Sequence, residues 1–195
     1  MENAKSIANF LFEVGGLSKT PRSGFHMLGT GSQSVAEHTN RAVCIGYTLA
    51  MLDGTVDVGK TMKICLFHDL AESRVSDLNY VNLKYVEKSE NKAIDELADS
   101  LPFGKDIQQS FDEYQKKEIK EALYAKDADI LEWILSLKEQ ADIGNSRANG
   151  WIEIALKRLR TDLGKELAEE IVKTDSLTWS HGNLKDEWWV NRNQK

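Results

Sequence analysis

The sequence is poor in residues that break, staple or anchor a chain. Only two prolines occur in 195 residues, so little interrupts helices, which lose a hydrogen bond and meet a steric clash at an interior proline. Only two cysteines are present, Cys44 and Cys65. Both sit in apolar, helix-like stretches and read as buried free thiols in a reducing compartment rather than as a disulfide framework. No stretch approaches the ~20 apolar residues that a membrane span needs. The opening MENAKSIANFLFEVGG is too short and too mixed for a signal peptide. Basic charge is not in excess either: 31 acidic residues face 25 basic ones, for a net charge of -6. These absences imply a cytoplasmic protein with no membrane and no nucleic-acid partner. They leave room for a small local phosphate site.

What is present is helical periodicity. Ile7, Phe10, Leu11 and Val14 repeat at helical spacing, and Gly15-Gly16 ends that element. A polar, Gly-rich stretch from Ser18 to Gln33 reads as a long loop, of a length that is often functional. Ser34, with Glu37 three residues on, has the form of a capping box. The helix it starts runs to about Asp53. Asp57 caps a third helix, reaching about Glu72. Further helical patterns cover Tyr85 to Leu101, Ile107 to about Ile143 with a possible break near Gln115, Trp151 to about Leu159, and Leu167 to Val172. Strand alternation, repeats and low-complexity segments are absent. The fold class is all-α, a single globular bundle of about six to eight helices. Residues 1–145 are expected to form the main domain, and 146–195 a helical extension packed on the same core.

Chemistry gathers around two of the four histidines. His38 stands in SVAEH, and His68-Asp69 in CLFHDLAES. An ionised Asp beside a His in an apolar run is costly unless it is paired or bound to a metal. Imidazole nitrogen and carboxylate oxygen suit a divalent transition metal. Adjacent residues on a helix lie 100° apart, so His68 and Asp69 could share one ion only where the helix is end-on or distorted. The short turn at residues 54–56 makes the second and third helices antiparallel. That registration puts His38, near the start of one, and His68, near the end of the next, at the same end of the hairpin. A further carboxylate is needed. Asp127, Asp129 and Glu132 in YAKDADILEWIL are candidates, with Asp129 and Glu132 on one helical face, but by pattern alone the favoured reading is solvated helix charges. Glu72, three residues after Asp69, shares its face and is placed to shuttle protons beside a metal-activated water.

Together SVAEH, FHDLAES, the downstream Asp77, KDADILEW and the upstream TPRSGF resemble the HD-domain superfamily over roughly residues 5 to 145. More narrowly they resemble its 5'-deoxynucleotidase branch, which hydrolyses deoxyribonucleoside 5'-monophosphates. The resemblance implies that His38, His68, Asp69 and Asp129 ligate one divalent metal ion, drawn from cobalt, manganese, zinc, nickel, iron and magnesium. It implies Glu72 as catalytic acid/base, Arg22 as the phosphate-holding residue, and Phe25 and Asp77 as substrate contacts, with Asp77 on the sugar. Asp127 lies off the motif and would be a surface charge. Two positions depart from the branch: Phe25 where it has Trp, and Ser76 before Asp77 where it has Gly. The expected substrate is a small nucleotide, a (deoxy)ribonucleoside 5'-monophosphate. The alternatives are a cyclic, triphosphate or signalling nucleotide, or a non-catalytic binding module that keeps a metal. No basic cluster for a polyphosphate is evident in the sequence. The family and the Trp-rich tail containing Trp179, Trp188 and Trp189 imply a homodimer.

Overall fold

A computed structural model describes residues 3–181 and Asn191. Trp188 and Trp189 lie outside the described residues. Among the described residues there are helices and two short 3-10 turns, and the nearest thing to a strand is one isolated bridge, Pro21 to Ser34. The α-helices are α1 (Ala4–Gly16), α2 (Gly24–Leu28), α3 (Val35–Asp53), α4 (Val58–Phe67), α5 (Glu72–Val75), α6 (Glu90–Asp99), α7 (Gly104–Lys116), α8 (Lys120–Asp142), α9 (Arg147–Leu156), α10 (Asp162–Lys173) and α11 (Thr178–His181). The all-α class holds. The helix count exceeds six to eight because α2, α5 and α11 are each only four or five residues long. Helices that short carry no periodicity for a sequence reading to detect.

Local signals set most boundaries. Ser34 accepts from the Glu37 N–H while the Glu37 carboxylate accepts from the Ser34 N–H, completing the capping box at the start of α3. Asp57 caps α4 through the Lys60 N–H at 2.9 Å. Gly54 ends α3 in the left-handed region at φ 69. The pattern expected from Ile107 to Ile143 is two helices, broken where Lys117 adopts φ 55. The helix expected from Tyr85 begins only at Glu90, because Lys88 turns inward to pair with Glu72 and Glu90. The long loop is partly ordered. Its ends are stapled by Arg22 N–H to the Gln33 carbonyl (2.8 Å) and Val35 N–H to the Thr20 carbonyl (2.9 Å), with α2 between them.

Helix α8 is the axis of the molecule and packs against α3, α4, α7, α9 and α10. Leu131, Ile134 and Leu137 on it are fully buried, each stabilising by roughly 1.5–3 kcal/mol relative to exposure. Ala148, Ile152, Ala155 and Leu159 join the same core, as does Ala168 of α10. A second cluster gathers Leu17, Val35, Leu70, Ile94, Leu97, Ile107 and Phe111. The antiparallel pair α3 and α4 closes tightly at Gly46, where a Cβ would overlap the Cys65 sulfur.

Two expectations fail on α3 and α8. Cys65 is buried, but Cys44 is exposed. Helix α3 turns Ala42, Ile45 and Leu49 to the core, which rotates position 44 outward. Asp127 is fully buried rather than a surface charge. Its carboxylate accepts from the Arg160 and Thr161 N–H groups, both at 2.8 Å, and from the Thr161 hydroxyl at 2.6 Å, anchoring the chain that enters α10.

Candidate metal centre

The end of α4 explains how neighbouring residues converge. The helix stops at Phe67, and His68 to Ala71 form tight turns in which Leu70 N–H reaches the Phe67 carbonyl and Glu72 N–H the Asp69 carbonyl. This is the distortion that adjacent ligands require. His68 Nε2 and Asp69 Oδ2 lie 3.2 Å apart. His38, from the first turn of α3, brings its Nε2 to 3.2 Å from His68 Nε2 and 3.4 Å from Asp69 Oδ2. Asp129 Oδ1, from α8, lies 3.4 Å from His38 Nε2. Ligand atoms about 2.1 Å from a common ion stand roughly 3.0–3.4 Å apart, so the donor set and its spacing fit a divalent metal. His38, His68 and Asp69 form the compact trio, their ligand atoms all within 4.8 Å of one another.

The other polar atom of His38, His68 and Asp129 is occupied, which fixes which of their atoms faces inward. His68 Nδ1 is 2.7 Å from the Cys65 carbonyl, so it donates there and leaves Nε2 free. His38 Nδ1 meets Glu132 Oε2 at 2.5 Å. Asp129 Oδ2 accepts from the Tyr114 hydroxyl and from Lys126, both at 2.7 Å. Asp69 Oδ2, the oxygen that faces the two histidines, also accepts from Arg22 Nη1 at 3.3 Å. Burial alone would raise the Asp69 and Asp129 carboxyls. The histidines, with Lys126 beside Asp129, outweigh it and hold both well below the usual carboxylate range. Burial and Arg22 oppose charge on His38, but hydrogen bonds to Asp129, Asp69 and Glu132 push it well above the ordinary imidazole value.

A cleft of about 760 Å³ opens over this cluster, lined by Arg22, Glu72, Asp77, Lys88, Trp133 and Trp151 among others. Arg22 Nε lies 3.4 Å from Asp77 Oδ2, and Asp77 also accepts from the Ser23 N–H and hydroxyl. Glu72 is buried. Lys88 donates to its Oε1 at 3.0 Å, while Oε2 has no hydrogen-bond partner. Burial, with Asp69 and Asp77 nearby, pushes the Glu72 carboxyl up to about 8 against the pull of Lys88. Phe25 does not line the cleft. It is buried behind Trp133, which it meets edge-on with ring centroids 5.3 Å apart.

A family model described as "HD domain" matches residues 14–172. The chain belongs to the HD domain family. Among curated relatives, one named 5'-deoxynucleotidase HDDC2 from Bos taurus is 28% identical over 148 residues, 73% of this chain and 71% of that protein. Another, named 5'-deoxynucleotidase hdd1 from Schizosaccharomyces pombe, is 31% identical over 144 residues, 69% of this chain and 72% of that protein. A solved structure of a conserved hypothetical protein from Pyrococcus furiosus superposes with a TM-score of 0.71 at 29% identity, covering 86% of this chain and 99% of that one.

Several residues that complete this HD-domain cleft carried no signal in the sequence. Lys117, Lys126 and Arg158 line it together with Arg22 and Lys88. The basic group missing from any one stretch of sequence is thus assembled from five parts of the chain. Tyr114 stands against His68, ring centroids 5.0 Å apart, while bonding Asp129. Glu132 is fully buried rather than solvated. Of the three acids in KDADILE, Asp127 and Glu132 are fully buried where α8 packs against its neighbours, and Asp129 opens onto the cleft.

Proposed function

We propose that this HD-domain protein hydrolyses the phosphomonoester of (deoxy)ribonucleoside 5'-monophosphates, giving nucleoside and phosphate. The observation that carries the reading is the free Oε2 of Glu72, a buried carboxylate oxygen with no protein partner beside the His38, His68 and Asp69 trio. A buried carboxylate oxygen left without a hydrogen bond is costly and marks a place for a reacting group. His38, His68, Asp69 and Asp129 would hold one divalent ion. When bound, such an ion supplies a Lewis acid that acidifies water and polarises the phosphoryl group.

The rest is done by the protein's own residues. Glu72, carrying a proton more readily than a free glutamate, accepts it from the attacking water and returns it to the departing 5'-oxygen. Lys88 keeps Glu72 from turning away. Arg22 presents a guanidinium to the phosphoryl oxygens and offsets charge that builds there. Asp77, fixed by Arg22 and Ser23, faces the sugar and favours the deoxy form. Trp133 and Trp151 offer an apolar wall for the base. The names of the relatives support the substrate class, and the pair of free thiols suits the cytoplasm. A homodimer is part of the same proposal.

One observation favours a second reading. Lys117 and Arg158 line the cleft with no ion pair to any described carboxylate, which suits a nucleotide with further phosphates. The test is phosphate release from paired ribo- and deoxyribonucleoside mono-, di- and triphosphates, with each of the six metals supplied. Turnover fastest on deoxyribonucleoside monophosphates, abolished by Glu72→Ala with metal still bound, supports the proposal. Absence of release from every nucleotide sinks it, and preference for triphosphates selects the second reading.

A further inference from the structure

We infer that Glu132, clamped by Arg41, is a positioning residue that orients His38 for the metal and ties the Arg22 loop to the metal centre. The inference rests on the proposed ligand role of His38. His38 and Glu132 are both fully buried, and Nδ1 meets Oε2 at 2.5 Å. A carboxylate there accepts the Nδ1 proton, which turns the Nε2 lone pair toward His68 and Asp69. The other oxygen, Oε1, is held from four directions. Arg41 donates to it through Nε (2.9 Å) and Nη2 (2.7 Å), Gln33 Nε2 donates at 2.6 Å, and the Ser136 hydroxyl donates at 3.1 Å. Arg41 is itself held by Glu139 and Ser136, each at 2.5 Å. A carboxylate so fully bonded has no freedom to swing, and neither has the imidazole that leans on it.

Gln33 makes the arrangement more than a prop for one ring. Its side chain reaches Glu132, while its backbone carbonyl accepts from the Arg22 N–H at 2.8 Å. The residue proposed to grip phosphate and the residue proposed to grip metal therefore share one buried anchor. The partners of Glu132 come from the loop before α3, from α3 itself and from α8, so no single element can shift without the others.

Asp127 provides the contrast. It is a second fully buried carboxylate on α8, but its bonds go to the start of α10 and none goes to the metal cluster. The experiment compares Glu132→Gln with Asp127→Asn in the full chain. The dissociation constant of zinc or cobalt ion alone is measured by calorimetry with chelator competition, alongside the melting temperature of the metal-free protein. Glu132→Gln, folded, is expected to bind the ion about 10- to 100-fold more weakly. Asp127→Asn is expected to melt lower while binding the ion within about twofold of wild type. In the zinc-loaded wild type, imidazole ¹⁵N shifts are expected to show His38 protonated on Nδ1 and bound through Nε2.

The inference is overturned if folded Glu132→Gln binds the ion as wild type does, or if Asp127→Asn loses as much affinity. Should Glu132→Gln fail to fold, Arg41→Gln replaces it, since that side chain is 30% exposed; a loss of several-fold supports the inference and none overturns it. A wild type that binds no divalent ion at all overturns the metal reading as well, which separates the two failures.

Discussion

At the scale of single residues, two side chains stand in conditions their chemistry resists, and each predicts a measurable response. Ser76 closes α5 at φ 62 and ψ 159, a region that essentially only glycine occupies without strain. This is the position where the resembling branch has Gly, and the backbone shows why. Ser76→Gly should stabilise the protein by about 1 kcal/mol, the relief of strain of about 1–3 kcal/mol less the extra chain entropy of glycine. An unchanged urea midpoint would show that the strain is not felt there. Glu72 is the second case. Burial lifts its folded value to about 8, above the ordinary glutamate value of 4.5, so the folded metal-free protein holds a proton that the unfolded chain releases between those limits. The associated stability is complete below about 4.5 and is lost as pH rises through about 8. Glu72→Gln mimics the protonated form at every pH. Without metal, it should match wild type near pH 5 and exceed it increasingly toward pH 9, by at most about 1 kcal/mol per pH unit crossed. Melting temperatures measured across that range give the answer, and a gap that does not grow with pH would contradict the assignment.

At the scale of elements, the site depends on how closely α3 and α4 approach, because one carries His38 and the other ends at His68. Gly46 sets that approach against the Cys65 sulfur. Gly46→Val should push the helices apart and destabilise the fold by about 1–3 kcal/mol, with metal affinity falling alongside it, since the Nε2 atoms are 3.2 Å apart in the native pair. A variant destabilised in a denaturant titration but with unchanged metal affinity would show that the hairpin and the ligands are uncoupled. The hairpin was legible in the sequence for the same reason that it is stable. Its capping box, its Asp57 cap and its Gly54 turn are local, and each signal lies within four residues of what it controls. The partners of those histidines were not legible. Glu132 bonds His38 across 94 positions and Arg41 across 91, and no local pattern encodes a meeting of that range. Asp127 and Glu132 misled for a related reason. Whether an acid on a helix is solvated depends on what packs around the helix, and α8 is enclosed by five others.

At the scale of the whole molecule, α3, α4 and α8 bring two carboxylates to one point, with Asp69 and Asp129 each 3.4 Å from His38 Nε2, while the cations of the cleft stand around that point. The protein therefore has more to gain from a bound cation than its net charge of -6 suggests. Binding to the folded state alone adds about 2.7 kcal/mol when free metal is at 100 times its dissociation constant. For a chain of this size each kcal/mol moves the melting temperature by roughly 2–4 °C. Stripping the protein with a chelator should thus lower melting by about 5–10 °C, and adding back the ion should restore it. The effect carries its own pH signature. Hydrogen bonds to the surrounding carboxylates favour a proton on His38 in the metal-free protein, and an ion competes with that proton for Nε2. Metal stabilisation should therefore grow from pH 5 to pH 8, with proton release detectable as a buffer-dependent binding enthalpy. A chelator effect of equal size at both ends of that range would mean that the ion binds somewhere other than between His38 and His68.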